Sequence, residues 1–337
     1  MHAVECKNVL ANLYTNGPRL LADIGGTNAR FAIEWGPRQT DQVCVLACAD
    51  FADLEAVMRA YLAQINLSHI DHAAIAIANP IDGDQVKMTN HHWCFSIEAT
   101  RRALNLETLL VVNDFTALAM SLPYLDESEK LQIGEGEARQ HSVIGLVGAG
   151  TGLGVSGLIP YQHTWMPLNS EGGHRSFAPN DALETQILQW MWQEFSHVSA
   201  ERLASGPGIA YLYRALADIY DVSVGNLQPQ QIVQRARSGD DLSLQTIQVF
   251  SQILGGVAGD LALTLGSFGG VYIGGGVVNQ LDNLFDRESF RERFVNKGRF
   301  ADFLAKIPTY LITAQYPAFL GISALLQNHL QMHRKQT

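Results

Sequence analysis

Two polar side chains follow an apolar run of the sequence, and their types suit acid–base chemistry. The segment LVVNDFTALA, residues 110–119, passes from a predicted buried strand into Asn113 and Asp114 and then into a predicted helix. Open α/β sheets bind their ligands at the carboxyl ends of their strands, and a carboxylate there can orient a hydroxyl and take its proton. Asn113 or Asp114 could equally cap the helix, so the residues alone leave both roles open.

Two glycine-rich segments have the composition of phosphate-binding turns. DIGGTNARFAI (residues 23–33) and GAGTGLGVSGL (residues 148–158) can be aligned on Thr27 and Thr151. Each places small residues and a Thr between two apolar stretches, which predicts a duplicated strand–turn–strand hairpin. Without Cβ atoms, successive backbone N–H groups of such a turn can converge on an anion. An ordinary tight hairpin is the alternative for either segment alone.

The familiar nucleotide-binding loops are excluded by their context. The pattern GxxxxGK[ST] does not occur, which argues against a P-loop NTPase. Gly152, Gly154 and Gly157 do match GxGxxG, but LIPYQHTW follows, with a proline and no helical period. A dinucleotide-binding turn must open a helix, so this match is not expected to bind a dinucleotide.

The elements around these motifs predict an α/β protein with two domains or lobes. The chain has 337 residues, more than the roughly 250–300 at which a single core stops growing. Strands predicted by apolar runs alternate with helices predicted by apolar spacing, which is the pattern of α/β folds. The predicted helices cover residues 53–65 (capped by Asp53), 183–195, 209–220 and 241–266, and the clearest further strands cover residues 73–80 and 270–273.

Charge and composition limit the partners. The formal net charge is −10 and no run of Lys and Arg occurs, which argues against nucleic acid and anionic membranes as partners. The N-terminal segment has no apolar h-region, and no apolar run approaches the ~20 residues of a membrane span. These features predict a soluble, cytoplasmic protein. Only 17% of residues are charged, which hints at an oligomer interface.

Cysteine and histidine spacing does not predict a metal site. Four cysteines without a CxxC pair, Cys6, Cys44, Cys48 and Cys94, are expected to be free core thiols in a reducing compartment. His91 and His92 are adjacent, so on a regular element they point apart, and no third ligand is evident.

Seven segments in order, from about residue 20 to the end, resemble the bacterial glucokinases. The similarity is to the group without a cysteine-rich zinc loop, because no cysteine follows Cys94. The segments are LADIGGTNARFAI, NPIDGDQVKMTNHHW, VVNDFTALAMSLP, VGAGTGLGVSGL, SEGGHRSFAPND, SAERLASGPGIAYLYRAL and TLGSFGGVYIGGGVV.

The resemblance implies a fold and an activity. The fold would be the two-lobed actin-like ATPase (ribonuclease H-like) fold, with duplicated α/β units and a central cleft. One lobe would comprise residues 1–124 plus 315–337 and the other residues 125–314, with the active site in the cleft and a C-terminal helix crossing back to the first lobe. The activity would be transfer of the ATP γ-phosphate to the 6-hydroxyl of D-glucose, giving glucose 6-phosphate and ADP at the entry to glycolysis, in a homodimer.

The resemblance also assigns roles to residues of this chain. Asp114 would be the catalytic base, and the sugar would bind Asn113, Asp114, Glu171, His174 and Glu201. ATP would bind Ala22, Asp23, Ile24, Gly25, Gly26 and Thr27 on one side, Gly150 and Thr151 on the other, and Gly274, Gly275 and Gly276 near the adenosine. Asp23 would hold Mg²⁺, through water, and Asn90 would lie near the sugar.

Each of these residues also has a structural interpretation. Asp23 could be a core-strand Asp satisfied by local N–H groups. Glu171 and His174 could be a pair of side chains in a surface loop, and Glu201 could simply be a residue at the start of a helix.

Other functions are compatible with the same motifs. A kinase for mannose, fructose or an N-acetylated amino sugar would need only a different pocket near the sugar 2-position. A sugar-responsive transcriptional regulator on this fold would need a DNA-binding module, and only about 20 residues precede DIGGT. An actin-like assembly protein would need none of the sugar-binding set.

Overall fold

The structure is a computed structural model that describes Tyr14, residues 17–89 and residues 91–334. Cys6 and Asn90 lie outside the described residues. The described chain forms two compact units: residues up to Leu125 together with those from Gln315 onward form the first, and Asp126–Ala314 form the second.

The N-terminal part of the first unit is a five-stranded sheet with helices on both faces. The strand order is β3-β2-β1-β4-β7, and a separate two-stranded sheet pairs β5 with β6. The elements are β1 (Arg19–Ile24), β2 (Asn28–Gly36), β3 (Gln39–Ala47), α1 (Leu54–Gln64), β4 (His72–Ile77), β5 (Gln85–Lys87), β6 (Cys94–Ser96), α2 (Ile97–Ala103), β7 (Thr108–Asn113) and α3 (Asp114–Ser121).

The second unit repeats this plan around a six-stranded sheet. Its strand order is β11-β10-β9-β12-β13-β8. The elements are β8 (Lys130–Ile133), β9 (Ile144–Ala149), β10 (Leu153–Tyr161), β11 (Thr164–Pro167), α4 (Ala182–Met191), α5 (Ala200–Leu203), α6 (Gly206–Ile219), α7 (Pro229–Arg237), α8 (Asp241–Leu265), β12 (Val271–Gly274), α9 (Gly276–Leu281), α10 (Arg287–Val295), α11 (Ala301–Ala305) and β13 (Thr309–Ile312).

The last helix, α12 (Pro317–Arg334), belongs to the first unit. Short 3₁₀ turns lie at Cys48–Asp50, Leu122–Tyr124, Glu127–Glu129, Gly172–His174, Asp282–Leu284 and Gly298–Phe300.

The two predicted hairpins are confirmed, and they have equivalent places in their sheets. β1 pairs antiparallel with β2 and parallel with β4, and β4 is parallel with β7. Likewise, β9 pairs antiparallel with β10 and parallel with β12, and β12 is parallel with β13. Since parallel strands end at the same edge of a sheet, each glycine turn lies at the edge where the other parallel strands also end.

Helix α3 is positioned by α12. A Cβ atom added at Gly321 of α12 would collide with the carbonyl oxygen of Ala117 in α3, so only glycine allows this approach. On the other side of α12, Ser323 Oγ donates to Glu34 Oε1 over 2.5 Å, and Glu34 lies 3.8 Å from the guanidinium of Arg19. Both charged side chains are fully buried. The helix that begins with Asp114 is therefore held from behind by a close contact and a buried ion pair.

Helix α8 corrects the expectation that no apolar run is long enough to span a membrane. Among the described residues it is the one helix that is long and apolar enough, but 78% of its most apolar window is buried inside the protein. Gly255 and Gly259 let α8 approach the carbonyl oxygens of Phe290 and Phe294 in α10 so closely that a Cβ atom would collide. Helix α8 is a core helix of the second unit.

The structure confirms two local predictions and contradicts a third. Asp53 does cap α1, since its carboxylate accepts from the N–H of Ala56. The GxGxxG match lies in and before strand β10 and opens no helix, as expected. Strand β7 is half-buried rather than fully buried, because the side chains of Leu110 and Val112 are only partly covered.

The thiol and histidine predictions need correction. Cys48 is buried, but Cys44 is half-buried and Cys94 is exposed, so the described cysteines are free without all being core thiols. The rings of His91 and His92 lie 4.2 Å apart, because this segment is not a regular element and the side chains do not point apart. No group of three metal-ligating side chains occurs in the described residues.

Candidate active site

Asn113 ends strand β7 at the edge of the first sheet where β1 and β4 also end, and Asp114 follows it as the first residue of α3. The register pairs Ile24 of β1 with Ile77 of β4, and Ile77 with Asn113 of β7. The glycine turn that follows β1 and the Asn113–Asp114 pair therefore lie at the same edge.

The capping role belongs to Asn113. Its Oδ1 accepts from the N–H groups of Phe115, at 2.9 Å, and Thr116, at 3.1 Å. Its Nδ2 donates to the carbonyl oxygen of Asn79 and to Oδ1 of Asp114. Asp114 is thus the first residue of α3, and its Oδ1 also accepts from the N–H of Phe115 at 2.8 Å. Among the described residues, none donates to its Oδ2.

The surroundings of Asp114 make its carboxylate more basic than usual. Burial, and after it the negative charge of Asp23, raise the pKa of Asp114 from its ordinary value of 3.8 to about 6. The N–H group of Phe115 and the amide of Asn113 act in the opposite direction but do not cancel this effect. A carboxylate with a pKa near 6 is ionised at neutral pH and is a stronger base than an exposed Asp.

Asp23 lies in β1 opposite Arg30 of β2. Its Oδ2 is 3.4 Å from the guanidinium, and 26% of the Asp23 side chain is exposed. Burial raises the pKa of Asp23, whereas Arg30 lowers it. Its described side-chain partner is thus Arg30 rather than a local backbone N–H.

The turn Gly25–Thr27 is fixed by its own backbone and by Cys48. The N–H of Gly25 donates to Asn28 O at 3.0 Å, and the N–H of Cys48 donates to Thr27 O at 2.9 Å. Thr27 is exposed, and Gly25 and Gly26 are half-buried, so the turn is accessible to a ligand.

Ala22 and Ile24, by contrast, are fully buried in β1. Their backbone groups lie within the sheet, where Ile24 O also accepts from Ala78 N. They support the turn and offer no side chain to a ligand.

Asn79 is a residue of this edge that the sequence analysis did not select. It is buried, and its side-chain oxygen accepts from both the N–H and the hydroxyl of Thr89, at 3.0 and 2.8 Å. Its carbonyl oxygen accepts from Asn113. Asn79 therefore ties the segment before Asn90 to the cap of α3. An Asn just after a buried strand, before Pro80, was the signal available in the sequence.

In the second unit, Glu171, His174 and Glu201 come together. His174 Nδ1 lies 3.7 Å from Glu201 Oε1, and His174 Nε2 lies 4.0 Å from Glu171 Oε2. The side chains of Glu171 and His174 are 79% and 61% exposed, while that of Glu201 is 29% exposed. Two carboxylates and an imidazole thus form one open polar cluster of the kind that can grip sugar hydroxyls.

The two glycines between Glu171 and His174 are needed for this cluster. A Cβ atom at Gly173 would collide with Leu153 O of β10, and one at Gly172 would lie 2.9 Å from the side chain of Val155. The 3₁₀ turn can pack against β10 only because these positions lack side chains.

A cavity of about 990 Å³ adjoins the turn between β9 and β10. Among the described residues, its lining combines apolar side chains with three glutamines and two arginines and includes no carboxylate, although the net charge of the chain is −10. The lining residues come mainly from α6, α7 and α9 and include Gly150, Thr151, Tyr211, Arg214, Val233, Arg237 and Val277. Such a cavity suits an anionic ligand with an apolar part.

The glycine turn after β12 forms one side of this cavity. Gly276 lines the cavity, and Gly275 has a φ of +92°, in the region that favours glycine. A Cβ atom at Gly275 would collide with Ala149 O. The turn thus lets the backbone of β12 pass close to the end of β9. Of the cavity wall, only Gly150, Thr151 and this turn were selected from the sequence.

The fold defines the class of the protein. The chain is similar to a solved glucokinase from an Antarctic psychrotroph, with 36% identity and a TM-score of 0.86, over 92% of this chain and 99% of that chain. Two mixed α/β units with duplicated hairpins are the architecture of actin-like sugar kinases, so the predicted fold class is confirmed.

Sequence comparisons define the family. The glucokinase family model matches residues 20–329. A glucokinase of Chromobacterium violaceum is 49% identical over 93% of this chain and 90% of its own length. A "Bifunctional protein glk" of Burkholderia orbicola is 57% identical over 97% of this chain and 51% of its own length, so the chain spans about half the length of that relative. The chain belongs to the glucokinase family.

Proposed function

We propose that this protein transfers the γ-phosphoryl group of MgATP to the 6-hydroxyl of D-glucose. The observation that carries the proposal is the state of Asp114. Its Oδ1 is held by Asn113 and Phe115, and burial raises its pKa to about 6. A base with this pKa is ionised at pH 7, yet it accepts a proton more readily than an ordinary Asp.

In this proposal, Asp114 orients the sugar hydroxyl and takes its proton as the bond to phosphorus forms. Its Oδ2 is the oxygen that faces the hydroxyl, because Oδ1 already accepts two hydrogen bonds. Phosphoryl transfer depends mostly on positioning and on charge stabilisation, so a fixed carboxylate suits the role. Asn113 caps α3 with its Oδ1. Its contact with the sugar is therefore assigned to its Nδ2.

ATP is assigned to the two glycine hairpins and the cavity of the second unit. The turns Gly25–Thr27 and Gly150–Thr151 offer N–H groups and a Thr hydroxyl to the phosphates. The cavity of about 990 Å³ accepts the nucleoside, with Gly274, Gly275 and Gly276 at its side. The two arginines of the wall favour an anionic nucleotide in an otherwise acidic chain.

The residues present fit a magnesium ion near Asp23. Asp23 and Asp114 are neighbouring half-buried carboxylates, and oxygen is the ligand type that Mg²⁺ takes. Asp23 would hold the ion through water, because few protein ligands are offered and Mg²⁺ keeps several waters. The ion would neutralise charge on the transferring phosphates.

The sugar is assigned to Asn113, Asp114, Glu171, His174 and Glu201. A carboxylate accepts from two neighbouring hydroxyls, and the imidazole can donate or accept, so the cluster can read the orientation of several hydroxyls. A hexose that lacks a matching hydroxyl leaves one of these groups unpaired once it is covered, which penalises its binding.

The test is a coupled assay for sugar phosphate with MgATP on glucose, mannose, fructose and N-acetylglucosamine, with Asp114→Asn beside wild type. We expect glucose to have by far the highest kcat/KM and the variant to lose ~10²-fold or more. Asp53→Asn is the matched control, because it makes the same change at the cap of α1 and Asn caps as well as Asp. If another hexose is preferred, that hexose is the substrate. If Asp114→Asn is as active as wild type, Asp114 is not the catalytic base.

We further propose a cytoplasmic homodimer. The support is the low charged fraction of 17% and the exposed apolar side chains Ile159, Tyr161 and Met166 on β10 and β11. Light scattering coupled to gel filtration tests the mass, and a monomer at micromolar concentration would contradict the proposal.

A further inference from the structure

Glu201 touches two parts of the second unit that the proposed function assigns to different substrates. Its Oε2 accepts from the N–H of Leu153 at 2.9 Å. Leu153 is the first residue of β10 and follows Gly152, which comes directly after the turn residues Gly150 and Thr151 that are assigned to ATP phosphates. The Oε1 atom of Glu201 lies 3.7 Å from Nδ1 of His174, in the cluster that is assigned to the sugar.

The turn and the carboxylate also fit each other sterically. A Cβ atom at Gly152 would collide with Oε2 of Glu201 and would lie 3.2 Å from its Cδ. Gly152 does not have a positive φ, so backbone conformation does not require glycine there. A side chain at this position would therefore have to displace the carboxylate of Glu201.

The turn is connected to the following helices as well. The N–H of Gly206, the first residue of α6, donates to Gly150 O at 2.8 Å. The N–H of Ala200, which precedes Glu201 in α5, donates to Arg175 O just after His174. The short segment from α5 to α6 therefore contacts both the ATP turn and the His174 segment.

We propose that Glu201 couples the sugar and nucleotide sites. One oxygen fixes the turn that binds phosphate, and the other is presented to the sugar, so that a ligand moving either partner changes the geometry of the other. Such coupling is reciprocal: glucose changes the affinity for ATP by the factor by which ATP changes the affinity for glucose. This inference rests on the proposed function, which names the two ligands.

The decisive variant is Gly152→Ala, which substitutes a residue next to the ATP turn and not one of the residues that are assigned to the sugar. The added methyl must displace the end of the Glu201 side chain, which is flexible, whereas the backbone of the turn can stay in place. Gly150→Ala is the matched control, because a Cβ atom at Gly150 meets nothing within 4 Å. It lies in the same turn but does not contact Glu201.

The experiment measures glucose binding by calorimetry, without nucleotide, for wild type and both variants. We expect Gly152→Ala to weaken glucose binding about 10- to 100-fold, the range for one hydrogen bond to a charged group. Gly150→Ala is expected to change it by less than about twofold, although its KM for ATP rises. Equal glucose affinities in Gly152→Ala and wild type would overturn the coupling.

A second measurement, on Glu201→Gln, tests the proposal even if Gly152→Ala does not fold. In Glu201→Gln the side chain keeps its shape, so the binding of a non-hydrolysable ATP analogue can be measured with and without glucose. The proposal expects the wild type to bind the analogue more tightly with glucose and the variant to lose that difference. An unchanged difference would overturn it.

The wild type separates this inference from the proposed function. If wild type neither binds nor phosphorylates glucose, the proposed function fails and takes the coupling with it. If wild type is an active glucose kinase but Gly152→Ala binds glucose normally, only the coupling fails.

Discussion

Asp114→Asn is predicted to remove activity and to make the protein more stable. The variant keeps the shape of the side chain and the hydrogen bond that Oδ1 accepts from Phe115. It removes the negative charge, which burial and Asp23 both disfavour. Active-site groups commonly carry such a cost, since their charge serves function rather than folding.

The size of the effect follows from the pKa of Asp114. The difference between about 6 in the folded protein and 3.8 for an ordinary Asp corresponds to about 3 kcal/mol. This is an upper limit, because a half-buried carboxylate keeps part of its hydration, and we expect about 1–2 kcal/mol. The cost is present above pH 6, where the folded protein must hold the charge. The cost decreases as the pH falls below 6, and it is absent below 3.8, where Asp114 is protonated in both the folded and the unfolded state.

The assay is urea unfolding of both proteins at pH 7.5 and at about pH 4, in EDTA so that no metal binds the carboxylates. The variant should be more stable at pH 7.5 and equal to wild type near pH 4. Asn113→Ala is the contrasting neighbour, since losing the cap of α3 should cost about 1 kcal/mol at both pH values. It should cost more at pH 7.5 than near pH 4, because the ionised Asp114 also loses its hydrogen bond from the Asn113 amide. If Asp114→Asn is less stable than wild type at pH 7.5, the reasoning from its raised pKa is wrong.

Three further predictions concern the pH profile and two glycines. Because the ionised fraction of Asp114 falls from about 90% at pH 7 to about 10% at pH 5, kcat/KM for glucose should fall about tenfold, and a flat profile would contradict the base. Gly321→Ala should destabilise the protein by about 1–3 kcal/mol in thermal unfolding, since the methyl forces α12 away from α3, and an unchanged melting temperature would contradict that contact. Gly275→Ala should raise KM for ATP and lower stability, whereas Gly225→Ala, where a Cβ atom meets nothing within 4 Å, should change neither.

Local signals in the sequence predicted the parts of the site that are built locally. The hairpins 23–33 and 148–158 were predictable because a glycine turn between two apolar stretches is contained within one short segment. The cap of α1 was predictable for the same reason. Which of Asn113 and Asp114 caps α3 was not, since both side chains cap equally well and only their orientation decides.

The cavity that is assigned to the nucleotide could not be predicted, because its wall comes from three separate helices. Tyr211 and Arg214 lie on α6, Val233 and Arg237 on α7, and Val277 on α9. Nothing in the sequence of any one of these helices shows that together they enclose a space. The exposure of Cys94 was missed for a similar reason, because it depends on what packs against a three-residue strand.

The fold holds the carboxylates that are assigned to the sugar to different degrees, and this should rank their contributions to sugar binding. Asp114 is half-buried and held by Asn113 and Phe115, and Glu201 is held by Leu153. Glu171 is 79% exposed, and its one described partner is His174, at 4.0 Å. A free Glu side chain loses up to about 1.5–2 kcal/mol of rotamer freedom when it is fixed, and water competes for its hydrogen bonds. Selectivity among hexoses should therefore depend more on the hydroxyls that face Asp114 and Glu201 than on the hydroxyl that faces Glu171.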